Sequence, residues 1–215
     1  MNIIMTGSTS FVGAATVREL LRRGHTVTAI VRPKSSKLDT ILEGNEEALL
    51  SGRLLVTEND LSEPEKLLEK VTKPQDVFCH FGWGGSGSAS RTDKALQEKN
   101  MEISLETIRT AKALGCKKFL FSGSQAEYGM HQDLITEDTV CEPKSLYGEA
   151  KLAMREKGEK LCDELGLRYI HARIFSAYGP GDHPWTLVES CLDAFLNNKE
   201  MSLGACTCLL YTSDA

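Results

Sequence analysis

No stretch of this 215-residue chain approaches the roughly 18–20 consecutive apolar residues that a helix needs to cross a bilayer, so no membrane partner is expected. Positive charge is in deficit. The 25 Lys and Arg face 30 Asp and Glu, for a net charge of −5. That balance argues against capture of nucleic acid, which leaves a basic surface patch. The opening Met1-Asn2-Ile3-Ile4-Met5 runs straight into Thr6-Gly7 without a basic region, a long apolar stretch or a small-residue cleavage site. No secretory signal is read there, and a cytoplasmic location is expected. The seven cysteines, at 79, 116, 141, 162, 191, 206 and 208, are odd in number and dispersed. They read as reduced thiols, not as a disulfide framework. Cys206 and Cys208 have no second ligand pair, so no metal centre is expected. Long-period repeats and low-complexity blocks are also missing.

What is present is the composition of a globular protein, 41% hydrophobic and 26% charged, at a length that suits about one to two domains. Apolar runs of strand length alternate with segments of helical period. Strands are predicted over 2–6, 26–31, 53–57, 76–81, 117–122 and 168–175. Helices are predicted over 11–23, 63–71, 92–114, 145–165 and 184–197, with weak helical character from 38 to 50. Gly24, Gly115 and Gly166 act as stops. Residues 82–88 are rich in glycine and serine, and 125–144 lacks periodicity, so both read as loops, the second as functional. Six strands with crossover helices imply an α/β fold. The expected form is a doubly wound parallel sheet in strand order 3-2-1-4-5-6, with helices on both faces.

Thr6-Gly7-Ser8-Thr9-Ser10-Phe11-Val12-Gly13 joins the first strand to the first helix. A phosphate can sit at such a helix start, where the first amides are unpaired and the dipole is positive. Gly7 suits the tight turn and Gly13 suits close packing of helix and strand. Ser10 stands where a dinucleotide fingerprint usually has glycine, and its side chain narrows the approach. Taken alone, the segment also reads as an ordinary turn. Cofactor choice rests on the end of the second strand. NAD sites usually carry an acid there, but Ala29-Ile30-Val31-Arg32-Pro33-Lys34 has none. Arg32 suits a 2′-phosphate, with Lys34 and Lys37 as helpers. The reading therefore favours NADP over NAD, against the alternative of a solvated strand-end charge.

Tyr147 and Lys151 lie four residues apart near the start of a predicted helix, so both project from one face. That spacing suits an acid–base phenol beside an ammonium. A cation at about 4 Å is worth about 4 kcal/mol at an effective dielectric near 20. Such an interaction lowers a tyrosine pKa by about three. Lys151, with an oxidised nicotinamide, is therefore expected to bring Tyr147 toward neutrality. In isolation the pair is commonly a surface coincidence, and its place downstream of the glycine turn is what gives it weight.

Several further segments fall in a familiar order. Asp60 and Leu61 follow the third strand, and His80-Phe81-Gly82-Trp83 ends the fourth. Asn100 lies on the long helix. Phe121-Ser122-Gly123-Ser124-Gln125-Ala126-Glu127-Tyr128-Gly129 closes the fifth strand, and Arg173-Ile174-Phe175-Ser176-Ala177-Tyr178-Gly179-Pro180-Gly181 closes the sixth. With the glycine turn and the Tyr147/Lys151 pair, these residues resemble the extended short-chain dehydrogenase/reductase family. The branch is the NAD(P)-dependent epimerase/dehydratase type, and the resemblance runs over about residues 1–200. Trp83 is a bulky departure from that pattern, and Ser176 replaces its usual asparagine.

The resemblance implies a Rossmann domain over 1–180, the start of a substrate-binding region over 181–203 and an atypical tail over 204–215. It implies proton exchange at Tyr147, a hydrogen bond from Ser124 to the same substrate oxygen, and Lys151 on the nicotinamide ribose. Asn100 would support that site. Gly7, Ser10, Phe11, Val12, Gly13, Arg32, Asp60, Leu61, Phe81, Gly82, Trp83 and Phe175 would bind the cofactor, Asp60 through the adenine. The implied substrate is a nucleotide-linked sugar, and the implied assembly is a homodimer through the helices carrying Asn100 and Tyr147. His80 reads as a satisfied structural histidine. Relatives that perform 4,6-dehydration carry an acid pair where Gln125 and Ala126 stand here, which leaves epimerisation or keto reduction. A non-catalytic dinucleotide-binding module, an inactive fragment and reduction of a small non-sugar ketone are the competing readings. Residues 204–215 resemble translated adaptor read-through, and the reading frame is expected to continue differently.

Overall fold

The computed structural model describes residues 1–85, 88–131 and 133–203. The tail over 204–215, with Cys206 and Cys208, lies outside the described residues. So do Ser86 and Gly87 of the glycine-rich loop and Gln132 of the 125–144 segment.

Strands β1 (Asn2–Thr6), β2 (Thr26–Val31), β3 (Leu54–Glu58), β4 (Val77–His80), β5 (Lys118–Ser124) and β6 (Arg168–Ile174) form one sheet in the order β3-β2-β1-β4-β5-β6. Every neighbouring pair is parallel. The central strands are buried at nearly every position because both faces are covered. Side chains alternate between the two covers: Ile3 and Met5 enter one core cluster, and Ile4 enters the other.

Helix α1 (Phe11–Arg22) and the short helices α2 (Asp39–Leu42) and α3 (Glu46–Leu50) cover the first face. Their Val17, Leu21, Ile41 and Ala48 pack with Met5, Val27 and Leu54. On the second face lie α4 (Leu67–Lys70), α6 (Lys94–Ala113), which follows the one-turn α5 (Ser88–Arg91), and α7 (Leu146–Leu165). There Ile108, Met154 and Cys162 meet Phe78, Phe119 and Phe121. The rings of Phe78 and Phe119 stack at 5.6 Å. Each fully buried Phe contributes roughly 1.5–3 kcal/mol through removal of its surface from water. A final helix, α8 (Leu187–Leu196), follows the sheet, and Trp185, Phe195 and Leu196 around it are exposed. Among the described residues no helix is long and apolar enough to cross a membrane. Cys79, Cys116, Cys141, Cys162 and Cys191 are free thiols.

The α/β expectation and its strand order hold, and the differences are local. The helix predicted over 63–71 is a 3₁₀ turn at Pro64–Lys66 followed by the single turn of α4. Strand β5 runs two residues past its predicted end, because Gly123 and Ser124 pair with Arg173 and Ile174. Helix α8 starts three residues later than predicted, at Leu187 behind the N-cap Thr186. Gly166 ends α7 in the left-handed region at φ 66°, as its place after the last apolar turn suggests.

Gly13 serves the turn itself more than helix–strand packing. A Cβ there would lie 2.0 Å from the Gly7 carbonyl oxygen and 2.8 Å from Ser10 Oγ. Gly13→Ala is therefore expected to force the turn apart and to destabilise the fold by about 3 kcal/mol. Urea denaturation of the two proteins checks this, and an unchanged midpoint would contradict the turn's assigned constraint.

Candidate active site

The C-terminal ends of the parallel strands open onto one cleft of about 1540 Å³. It lies across the switch point between β1 and β4, where an open α/β sheet parts and ligands characteristically enter. Gly7, Ser10, Phe11, Val12, Arg32, Asp60, Leu61, Phe81, Gly82, Trp83, Ser124, Tyr147, Lys151 and Phe175 all line it. Lys37 lines it as well.

At one end lies the glycine turn. Gly7, at φ 68°, sits so close to the end of β4 that a Cβ would meet the Phe81 carbonyl carbon at 2.7 Å. Ser10 lines the cleft with its hydroxyl already committed within the turn. Its hydroxyl donates to the Gly7 carbonyl at 2.7 Å and accepts from Gly13 N at 3.1 Å, which makes it the N-cap of α1. The first helical bond is Ala14 N to Ser10 O, at 2.7 Å. The amides of Phe11 and Val12 thus precede the ladder at the cleft. This bare helix start beside a backbone with no room for side chains fits a dinucleotide phosphate. Ser8, not singled out from the sequence, is fully buried and ties the turn to β2 by donating to the Ile30 carbonyl at 2.7 Å. Arg32 is exposed at the end of β2. Asp60 accepts from Ser62 N at 2.8 Å and Ser62 Oγ at 2.6 Å, and these bonds hold its carboxyl below the usual range.

At the other end Ser124, Tyr147 and Lys151 come together. Ser145 caps α7 by accepting from Gly148 N at 3.1 Å. Gly148 lets the first turn of α7 approach the turn after β5, since a Cβ there would lie 2.4 Å from the Ala126 carbonyl oxygen. That approach sets Tyr147 beside Ser124, whose hydroxyl is near enough to favour the phenolate. Lys151 is buried and donates to the Ser122 carbonyl at 2.8 Å. Its ammonium stands 3.9 Å over the Trp83 ring, 4.6 Å from the Phe121 ring centre and 5.6 Å from that of Tyr147. Burial lowers its pKa to about 7, with Glu127 pulling the other way.

With no nicotinamide beside it, the Tyr147 phenol sits above its ordinary range. Burial raises the phenol's pKa, the Ser124 hydroxyl and Arg91 act to lower it, and Glu127 adds to the rise. Lys151 is turned toward the Ser122 carbonyl and the Trp83 face. Asn100 does not line the cleft. It sits behind it, donating to the Gly84 carbonyl at 2.8 Å and accepting from Gly84 N at 2.9 Å, so it clamps the loop after β4. His80 is buried between Thr6 Oγ1 at 2.9 Å and Ser104 Oγ at 3.1 Å. Burial drives its pKa down to about 3, which keeps it neutral.

Sequence reasoning passed over the role of Glu127. This fully buried carboxylate accepts from Ser124 N at 2.7 Å, from His171 Nε2 at 2.9 Å and from Arg173 Nε at 2.9 Å. Burial alone would favour its neutral form, but those bonds hold its pKa below the ordinary range. The available signal was Ser124-Gln125-Ala126-Glu127, the spacing of a capping box, and both of its bonds form. Gly123 leaves room for the network, because a Cβ would lie 2.4 Å from His171 Nε2.

A model of the NAD dependent epimerase/dehydratase family matches residues 3–213. The chain belongs to that family. It is similar to the D-erythronate dehydrogenase of Cupriavidus necator, 30% identical over 178 residues, covering 81% of this chain and 53% of that protein. It is also similar to a UDP-glucose 4-epimerase of Lactobacillus helveticus, 28% identical over 185 residues, 83% of this chain and 52% of that one. Among solved structures, the UDP-glucose 4-epimerase of Thermotoga maritima superposes with a TM-score of 0.78 at 25% identity, covering 95% of this chain and 66% of that chain. This family member thus spans about half to two thirds of the length of the relatives it matches.

The buried ammonium has a thermodynamic consequence. The folded pKa of Lys151, about 7, lies below its ordinary 10.5. Between those values the unfolded chain binds more protons, so this group makes stability rise with pH across that window, and its cost is full below pH 7. Relative to the wild type, Lys151→Met is expected to gain most in Tm near pH 6. The gain should shrink as pH rises above about 7. Thermal melts at a series of pH values check this, and a pH-independent difference would refute it.

Proposed function

We propose that this protein is an NAD(P)-dependent oxidoreductase or epimerase acting on a nucleotide-linked sugar, with NADP the preferred cofactor. The observation that carries the reading is the single cleft joining the bare start of α1 to Ser124, Tyr147 and Lys151. A nicotinamide dinucleotide, when bound, supplies hydride acceptance and return. Gly7, Phe11 and Val12 would hold its phosphates, Arg32 its 2′-phosphate, Asp60 and Leu61 its adenine end, and Phe81, Gly82, Trp83 and Phe175 the walls around it. Lys151 would hold the ribose next to the reactive ring.

Tyr147 would exchange a proton with the substrate oxygen, and Ser124 would donate a hydrogen bond to that oxygen as charge develops. Asn100, through Gly84, would keep the loop beneath the reacting groups in place. Dehydration needs a further acid beside Ser124, and Gln125 and Ala126 line the cleft there. Glu127 is the nearest acid in sequence, but His171 and Arg173 hold it behind the site. Epimerisation or reduction of a keto sugar is therefore the reaction class. The family's pairing through α6 and α7, which pack side by side on one face, carries a homodimer with it.

Tyr147→Phe is expected to cut turnover by about 10²–10⁴-fold while leaving cofactor affinity nearly intact. The assay follows NADPH oxidation, or inversion at a sugar carbon, over a panel of UDP-, dTDP-, GDP- and CDP-sugars. A sugar acid belongs in the panel in view of the erythronate dehydrogenase similarity. Full activity in the variant would reject the proton-transfer role. Arg32→Ala is expected to weaken NADP at least about tenfold more than NAD, the loss of a charge-assisted phosphate contact. Titration calorimetry with both cofactors checks this, and equal losses would mean that Arg32 only faces water.

A further inference from the structure

Arg91, at the end of α5, was not assigned a role by any motif. It lines the cleft, and its guanidinium carbon lies 5.0 Å over the centre of the Tyr147 ring. The Lys151 ammonium is farther from that centre, at 5.6 Å, and is committed to the Ser122 carbonyl and the Trp83 face. The place of Arg91 is built from behind. Gln97, buried on α6, donates to the carbonyl of Ser90 at 2.8 Å and accepts from Trp83 Nε1 at 3.0 Å. The Trp83 ring in turn meets the Tyr147 ring edge-on at 6.3 Å. One buried amide therefore sets both the residue before Arg91 and the indole that packs on the phenol.

The geometry points to Arg91 as the positioning residue that sets the ionisation of the Tyr147 phenol. A phenolate spreads its charge into the ring, so a cation over the ring face favours the ionised form. A guanidinium stays charged at any working pH. Lys151, with a pKa near 7, carries only part of its charge there. Among the described residues, the other groups acting on Tyr147 are the Ser124 hydroxyl, which favours the phenolate, and the Glu127 carboxylate, which opposes it. Trp83 contributes an uncharged ring, and His80, behind Lys151, is neutral. The inference rests on Tyr147 being the proton-exchanging group of the proposed function, but its test requires no turnover.

The experiment labels the tyrosine Cζ atoms with ¹³C in the full chain and follows the Tyr147 signal, assigned with Tyr147→Phe, against pH. Arg91→Gln should move the Tyr147 midpoint to higher pH, and Arg91→Glu should move it further. Arg91→Lys should restore it toward the wild type. The remaining tyrosine signals report whether each variant is folded. Where a substrate is turned over, Arg91→Gln should lose about tenfold in rate at neutral pH, with the rate limb moved to higher pH. An unmoved Tyr147 midpoint in folded Arg91→Gln and Arg91→Glu overturns the inference. Full turnover in Tyr147→Phe would instead overturn the reading of function, so the two failures are distinct.

Discussion

The candidate site depends on one buried carboxylate. Glu127 accepts bonds from two side chains on β6, Arg173 and His171, and from the backbone of Ser124. A buried carboxylate is costly unless fully partnered, so removing any one bond would leave the others poorly compensated. The network thereby ties the end of β5 to β6 and fixes the turn from which Ser124 projects. Arg173 extends it to the Tyr128 hydroxyl at 2.7 Å and to Cys141 Sγ at 3.3 Å, which brings the loop before α7 back to the sheet. The same carboxylate favours the charged form of Lys151 and opposes ionisation of Tyr147. Its field reaches both ionisable groups of the site without touching the cleft.

Around that anchor the site is assembled by close backbone approaches. Gly7 lies against the end of β4, Gly13 against Gly7, Gly123 against the His171 ring and Gly148 against the turn after Ser124. Each is a place where a methyl group has no room, and each brings a polar group of the cleft to its position. The stability cost is concentrated at Lys151, an ammonium held in a cage of aromatic rings with one carbonyl acceptor. A site that keeps such a group is trading stability for a donor of fixed direction.

The reading from sequence succeeded where a pattern is local. Strand β2 is found over the residues expected, because a run rich in β-branched residues bounded by Gly24 and Pro33 has few other solutions. The end of α7 was legible from Gly166. It was less successful where the deciding partner is remote. Glu127 lies 44 residues from His171 and 46 from Arg173, and neither spacing carries a local signal. Trp83 was visible as a departure from the family pattern. That its face would receive Lys151, 68 residues on by subtraction of the two numbers, was not.

The order of apolar runs, glycines and caps along the chain determined by itself that there would be a parallel sheet, where its strands lie and which residues would reach its C-terminal edge. These are short-range matters of backbone conformation and of the burial of both sheet faces. Only the tertiary structure decided the electrostatics of the cleft. Arg91 comes over the phenol, Lys151 turns to the indole, and Glu127 is locked behind Ser124. Charge interactions depend on distance and desolvation in space, and neither quantity is written in the spacing of residues along a chain.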